Sequence, residues 1–221
     1  SLMVLKRFIE HYDLVKLIRG DRNHYNKRYR TFSYRLVSVL WWLLLVPVNV
    51  LDLLGFFKLF DWLRRKVFST RPLTQIEEKE IRCVFGAAVD WKKVRIRENS
   101  WMAKLGAKSA KKKHIGFVLF RTVNFSRTLD HEDKSTDMPW LIHEITHVLQ
   151  YNELGAQYII EALRAQQNAG YGYGGQKGLA TANSLSAFNL EQQADIAKDY
   201  YRRLRSNKDV TLFDPYICLL Y

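Results

Sequence analysis

The 221-residue chain predicts an α+β fold, mainly helical, with a small sheet and an N-terminal helical, apolar extension. Three observations carry this. Apolar residues recur at helical spacing over much of the chain, most regularly after Asp137. Only residues 94–97 and 114–125 alternate or run apolar in the manner of strands. A composition of 48% hydrophobic and 14% aromatic residues supports a packed core and argues against disorder.

The elements follow in order. Residues 1–35 are basic and helix-like, with Leu5, Phe8, Ile9, Tyr12 and Val15 near a helical period. Residues 36–60 form the strongest apolar stretch, flanked by Arg28, Arg30 and Arg35 on one side and Arg64, Arg65 and Lys66 on the other. A membrane span needs about 20 apolar residues, and Asn49, Asp52 and Lys58 interrupt this run. Three readings stand: a buried helical hairpin bent near Pro47, an interfacial or re-entrant anchor, or a short span. The stretch lies too deep in the sequence for an ordinary signal peptide, and no small-residue cleavage site follows it.

A boundary is expected near residues 69–70, dividing a basic region (1–69) from a second domain (70–221). Thr74 and Glu77 form a capping box for a helix ending at Gly86. Residues 94–97 read as a strand, 104–113 as a solvated Lys/Ala/Gly linker, and 114–125 as one strand at a sheet edge or beside a site. Asp137 is expected to cap the next helix, with Pro139 in its first turn. The pattern then stays helical except for the glycine-rich residues 170–178.

Charge is uneven. Residues 1–72 hold 14 Lys/Arg against 5 Asp/Glu, a net +9, and the remainder hold 21 against 17, a net +4. Such an excess suits an anionic lipid surface, a chaperone or secretion component, or an acidic partner such as an inhibitor protein. No base-reading motif accompanies it, which argues against nucleic acid. Cys83 and Cys218 lie far apart and form no CxxC pair, so their number decides neither redox compartment nor pairing.

The chemistry concentrates in His143-Glu144-Ile145-Thr146-His147. Four residues make just over one helical turn, so both histidines project from one face and can chelate one Zn2+. Glu144, between them, is placed to take a proton from water at the metal. Downstream, Glu191 and Asp195 again lie four apart on a helical pattern. Glu191 is the candidate third ligand, and Asp195 the candidate acceptor for the second ring N–H of a ligand histidine. The plainer alternative makes both carboxylates surface partners of Lys198 and Arg202. Tyr171 and Tyr173, in the Gly-Tyr loop, are candidate oxyanion donors or lid residues, with loop packing as the alternative.

HExxH followed by ExxxD resembles the gluzincin pattern of zinc peptidases. More specifically, Arg71-Pro72-Leu73-Thr74, Ile81 to Gly86, Val89-Asp90 and Val94-Arg95-Ile96 resemble the start of the bacterial DUF4157, or eCIS core, domain. Glu191-Gln192-Gln193-Ala194-Asp195 and the Gly-Tyr loop look like its Vgr-related members, over about residues 70–205. The resemblance implies a zincin-like metallopeptidase core, a strand preceding the HExxH helix, zinc on His143, His147 and Glu191, and Glu144 activating water. It also implies a bacterial protein, cytoplasmic or exported without a signal peptide, that acts on protein or peptide substrates as an effector of a contractile injection or secretion system. A second class of function stays open: a catalytically silent, metal-stabilised module that docks to a membrane or secretion apparatus.

Overall fold

The computed structural model describes residues 68–220, apart from 131, 133–134, 156, 160 and 163–171, together with scattered positions between 43 and 62. The readings of residues 1–35 and most of those of 36–60 lie outside the described residues, as do Tyr171, His11, His24 and His131. Among the described residues, no helix is long and apolar enough to cross a membrane.

The described residues are mainly helical, with one three-stranded sheet among them. Helix α1 (Gln75–Phe85) starts at the Thr74–Glu77 capping box and stops at Gly86, whose φ of 55° favours glycine. Arg71 ties the segment before α1 to the sheet. Its backbone bridges Ile96, and its guanidinium bonds Glu77 and Glu98. Strand β1 (Arg95–Arg97) runs parallel to β3 (Thr122–Phe125), which pairs antiparallel with β2 (Gly116–Leu119) in the order β1-β3-β2.

Two expectations about this region are corrected. Residues 104–113 are not a linker, because α2 (Trp101–Ser109) occupies most of them. Ala103 and Ala107, four apart, bury one face, while Lys104 and Lys108 stay in solvent. The lysines obscure a run of good helix formers. Residues 114–125 are not one strand but a hairpin that turns at Phe120, which takes φ 59° without being glycine. Phe120 is held there by aromatic contacts to Tyr151 and Phe60.

Helix α3 (Met138–Leu154) crosses behind the sheet, and every residue from Leu141 to Gln150 is buried. Asp137 sits at its N-cap position with a helical φ of −85° and does not cap. Its carboxylate instead pairs with Arg127 and accepts from the Asp130 amide. The Ser135 hydroxyl accepts from the Asp137 amide, and the Ser135 carbonyl from Met138. The glycine-rich stretch is also more regular than expected, since α4 (Gly175–Thr181) begins inside it. A Cβ at Gly178 would lie 2.0 Å from the Tyr173 carbonyl, so that turn requires glycine.

Helix α5 (Leu190–Arg205) opens with a second capping box, Asn189 with Gln192, packs along α3, and buries Ala194, Ile196, Ala197 and Tyr201. The short α6 (Asp214–Ile217) closes the chain against it. The core joins Phe85, Trp91, Ile96, Phe125, Ile142, Ile145 and Ile196 into one cluster. Cys83 and Cys218 are exposed and unpaired.

Candidate metal centre

The α3–α5 contact brings together residues 44 positions apart in sequence. His143 and His147 face α5 with their rings nearly perpendicular, at 88° and with centroids 5.0 Å apart. Glu191, in the first turn of α5, places Oε2 3.4 Å from His143 Nε2 and 3.3 Å from His147 Nε2. One ligand atom from each residue lies within 4.8 Å of the others, and all three residues are buried. At 3% exposure Glu191 is no surface partner of Lys198 or Arg202, so the plainer reading of this carboxylate does not hold.

Each histidine is backed on its other nitrogen, by different chemistry. His143 Nδ1 lies 3.0 Å from Asp195 Oδ1, as the spacing of Glu191 and Asp195 suggested. Asp195 also pairs with Lys198, so here the two roles anticipated for it coexist. Burial alone would lower the His143 pKa, but Asp195, Glu191 and the charge of Glu144 outweigh it and raise it to about 9. Burial likewise opposes ionisation of Asp195, yet His143 and Lys198 hold its pKa below the ordinary value.

His147 Nδ1 meets a neutral amide instead, Gln150 Oε1 at 2.7 Å. The orientation of that amide is determined by its other end. Gln150 Nε2 donates to the Leu190 carbonyl and to Gln193 Oε1, each at 3.0 Å, so Oε1 is left to accept from His147. Gln193 in turn donates to the carbonyls of Leu185 and Phe188. This chain of amides keeps the proton on His147 Nδ1 and the lone pair of Nε2 towards Glu191. Sequence reasoning did not single out Gln150 or Gln193; the available signal was a glutamine about one turn after His147 and another two residues after Glu191.

Glu144 projects toward the sheet. Trp140 Nε1 donates to its Oε1 at 3.1 Å, while Oε2 is buried with no hydrogen-bond partner among the described residues. Burial raises the Glu144 pKa; His143 and His147 oppose the rise, the charge of Glu191 adds to it, and the Trp140 hydrogen bond opposes it. Gly116, on the edge strand β2, makes room for this side chain. A Cβ there would lie 2.5 Å from Glu144 Oε1, so a larger residue would displace the carboxylate. The expectation of an edge strand beside the site therefore holds for the first half of residues 114–125.

Tyr173 is placed differently from the oxyanion reading. Its hydroxyl donates to Asp199 Oδ2 at 2.8 Å, and its ring packs on Phe188. Burial, with the Asp199 hydrogen bond and the charges of Asp199 and Asp195, keeps the phenol protonated, with its pKa raised well above the ordinary value. The aromatic ring beside His147 is Tyr158, with centroids 5.7 Å apart. His114 is exposed and takes no part among the ligands.

No family profile, no curated protein and no solved structure matches this chain. The site's chemistry therefore stands on its own geometry. His143, His147 and Glu191 form a buried group able to hold a metal ion.

Proposed function

We propose that the chain is a zinc-dependent metallopeptidase with a zincin-like core, hydrolysing peptide bonds at the α3–α5 junction. The observation that carries this reading is the donor set and its spacing. Two imidazoles and one carboxylate suit zinc, and bonds of about 2.0–2.1 Å at tetrahedral angles separate ligand atoms by about 3.3–3.4 Å. The two imidazole Nε2 atoms lie 3.4 and 3.3 Å from the shared Glu191 oxygen. Three protein ligands are the catalytic stoichiometry, whereas structural zinc sites usually have four.

Zinc, when bound, supplies Lewis acidity that polarises a carbonyl and makes water acidic near neutral pH. The rest is work for the chain. Glu144 takes the proton of the attacking water and returns it to the leaving amine. Trp140 holds one of its oxygens, which leaves Oε2 for that exchange. Gly116 keeps the space beside the carboxylate clear, and the edge of β2 offers backbone groups along which an extended substrate can lie. Following the DUF4157 resemblance, such an activity belongs to an exported bacterial effector.

The test pairs two variants. Wild type purified without added metal should carry one zinc per chain by elemental analysis, and His143→Ala none. Glu144→Gln should keep its zinc and lose peptide hydrolysis by roughly 100- to 10,000-fold, scored by mass spectrometry on a peptide library. Undiminished hydrolysis by Glu144→Gln would sink the mechanism.

A second reading, a silent module docking to a membrane or secretion apparatus, is favoured by one observation. Leu54 and Leu59 in the N-terminal apolar segment, and Trp62 just after it, are 74%, 57% and 55% exposed. Under this reading, the double variant Leu54→Glu/Trp62→Glu abolishes liposome flotation, while metal loading has no catalytic consequence.

A further inference from the structure

The chain has 22 Asp and Glu residues, and they avoid both flanks of the metal centre. Residues 99–129, which carry α2, β2 and β3, contain none but include seven Lys or Arg. Residues 162–190 also contain none and include two. The first segment delivers Gly116 against Glu144; the end of the second leads directly into Glu191. After the first segment carboxylates return at Asp130, Glu132, Asp133 and Asp137 ahead of α3, and then in the ligand group at Glu144, Glu191 and Asp195.

The cations are displayed to solvent. Lys104 and Lys108 on α2, and Lys111 to Lys113 in the turn before β2, are exposed. That turn ends three residues before Gly116, so an extended chain lying along β2 over Glu144 reaches the lysines within about 10 Å, at roughly 3.3 Å per residue. Of the acidic residues before α3, Asp137 is paired with Arg127, and the lysines of the α2–β2 turn are the charges nearest to Gly116 in sequence.

We propose that the substrate segment bound beside Glu144 is an acidic peptide, selected by the lysines of α2 and the α2–β2 turn. The inference rests on the peptidase reading for its location. Its selectivity stands on charge: an anionic chain lying along β2 meets the lysines of α2 and the α2–β2 turn, whereas a basic chain is repelled by them. An anionic membrane shares the charge preference but not the extended backbone that matches a strand edge, so a peptide is favoured.

Binding is measured by fluorescence anisotropy on the full-length, zinc-loaded Glu144→Gln protein, which binds without turnover. The probes are labelled dodecapeptides of equal length, Glu/Ser-rich, Ser/Gly-rich and Lys/Ser-rich, together with vesicles containing phosphatidylglycerol. Zinc content is determined on the same samples. The Glu-rich peptide should bind about tenfold or more tighter than the neutral one, with affinity falling as salt rises. Lys104→Glu/Lys108→Glu/Lys113→Glu, three exposed positions, should erase that preference at unchanged zinc content and melting temperature. Equal binding of the three peptides, or a preference that survives the triple variant, would overturn the proposal. Capture by the vesicles without binding of the Glu-rich peptide would overturn it too, and would assign the surface to lipid. Protein that takes up no zinc on loading yet still selects the Glu-rich peptide would sink the peptidase reading while leaving the charge selection standing.

Discussion

Two buried carboxylates on facing helices meet opposite fates in this molecule. Glu80 of α1, 1% exposed, accepts from Tyr201 at 2.7 Å and from Arg205 at 2.6 Å, so α1 and α5 satisfy it between them. Burial raises its pKa, but the Arg205 and Tyr201 hydrogen bonds outweigh this and hold it below the ordinary carboxylate value. Glu144, on α3, has an oxygen with no partner among the described residues and a raised pKa. Glu191 spends one oxygen on two imidazole nitrogens. One cluster is complete as protein, and the other is a buried group able to hold a metal ion. A buried carboxylate indicates function only when its partners fail to account for it.

The sharpest way to break this comparison is to neutralise each carboxylate in turn. Glu191→Gln should abolish the stabilisation that zinc confers in thermal unfolding, leaving melting temperatures equal with zinc and with EDTA. Glu80→Gln should lower the melting temperature by the same amount in both conditions, from a loss on the order of 1–2 kcal/mol, because Arg205 is 38% exposed and retains water. Zinc-dependent destabilisation in Glu80→Gln would mean that the two clusters are coupled through α5.

The pH dependence sharpens it further. The His143 pKa stands at about 9 without metal, above the ordinary 6.5. A raised value contributes stability that is complete below about pH 6.5 and is lost as pH rises through about 9. Metal-free protein should therefore melt at progressively lower temperature across that window. Zinc must displace the same proton, so its apparent affinity should climb over the same range. A zinc affinity flat between pH 6.5 and 9 in chelator competition would contradict this.

A smaller effect separates the two histidine backings. Gln150→Leu removes the acceptor on His147 Nδ1 and should weaken zinc binding by about tenfold or somewhat more. Gln193→Leu should cost less, since Gln150 keeps its bond to the Leu190 carbonyl. Unchanged affinity in Gln150→Leu would reduce the amide chain to packing.

Much of the site was legible because its rules are local. The spacing of His143, Glu144 and His147 follows from the helical repeat, and the Thr74–Glu77 capping box marks α1 within a few residues. The meeting of Glu191 with the histidines was anticipated from residue type and a repeated four-residue spacing, and the α3–α5 packing fulfils it. What escaped depends on tertiary partners. The turn at Phe120 has no glycine or asparagine to announce it, and Tyr151 and Phe60 come from distant parts of the chain. Helix α2 was hidden by its own solvent face, where Lys104 and Lys108 sit beside the two alanines that bury it. Asp137 looked like a cap, but Arg127 claims its carboxylate. Gly116 is an unremarkable letter in the sequence until Glu144 lies against it.

A metal held at the α3–α5 crossing would also act as a clasp on chain topology. Its ligands would close a loop from His147 to Glu191, and within that stretch of sequence lie the Gly-Tyr segment and α4. Unlike a disulfide, such a clasp would open when its ion is withdrawn, and the chain would regain the loop-closure entropy that the ligands had suppressed. Resistance of the 147–191 stretch to digestion would thereby be tied to metal supply.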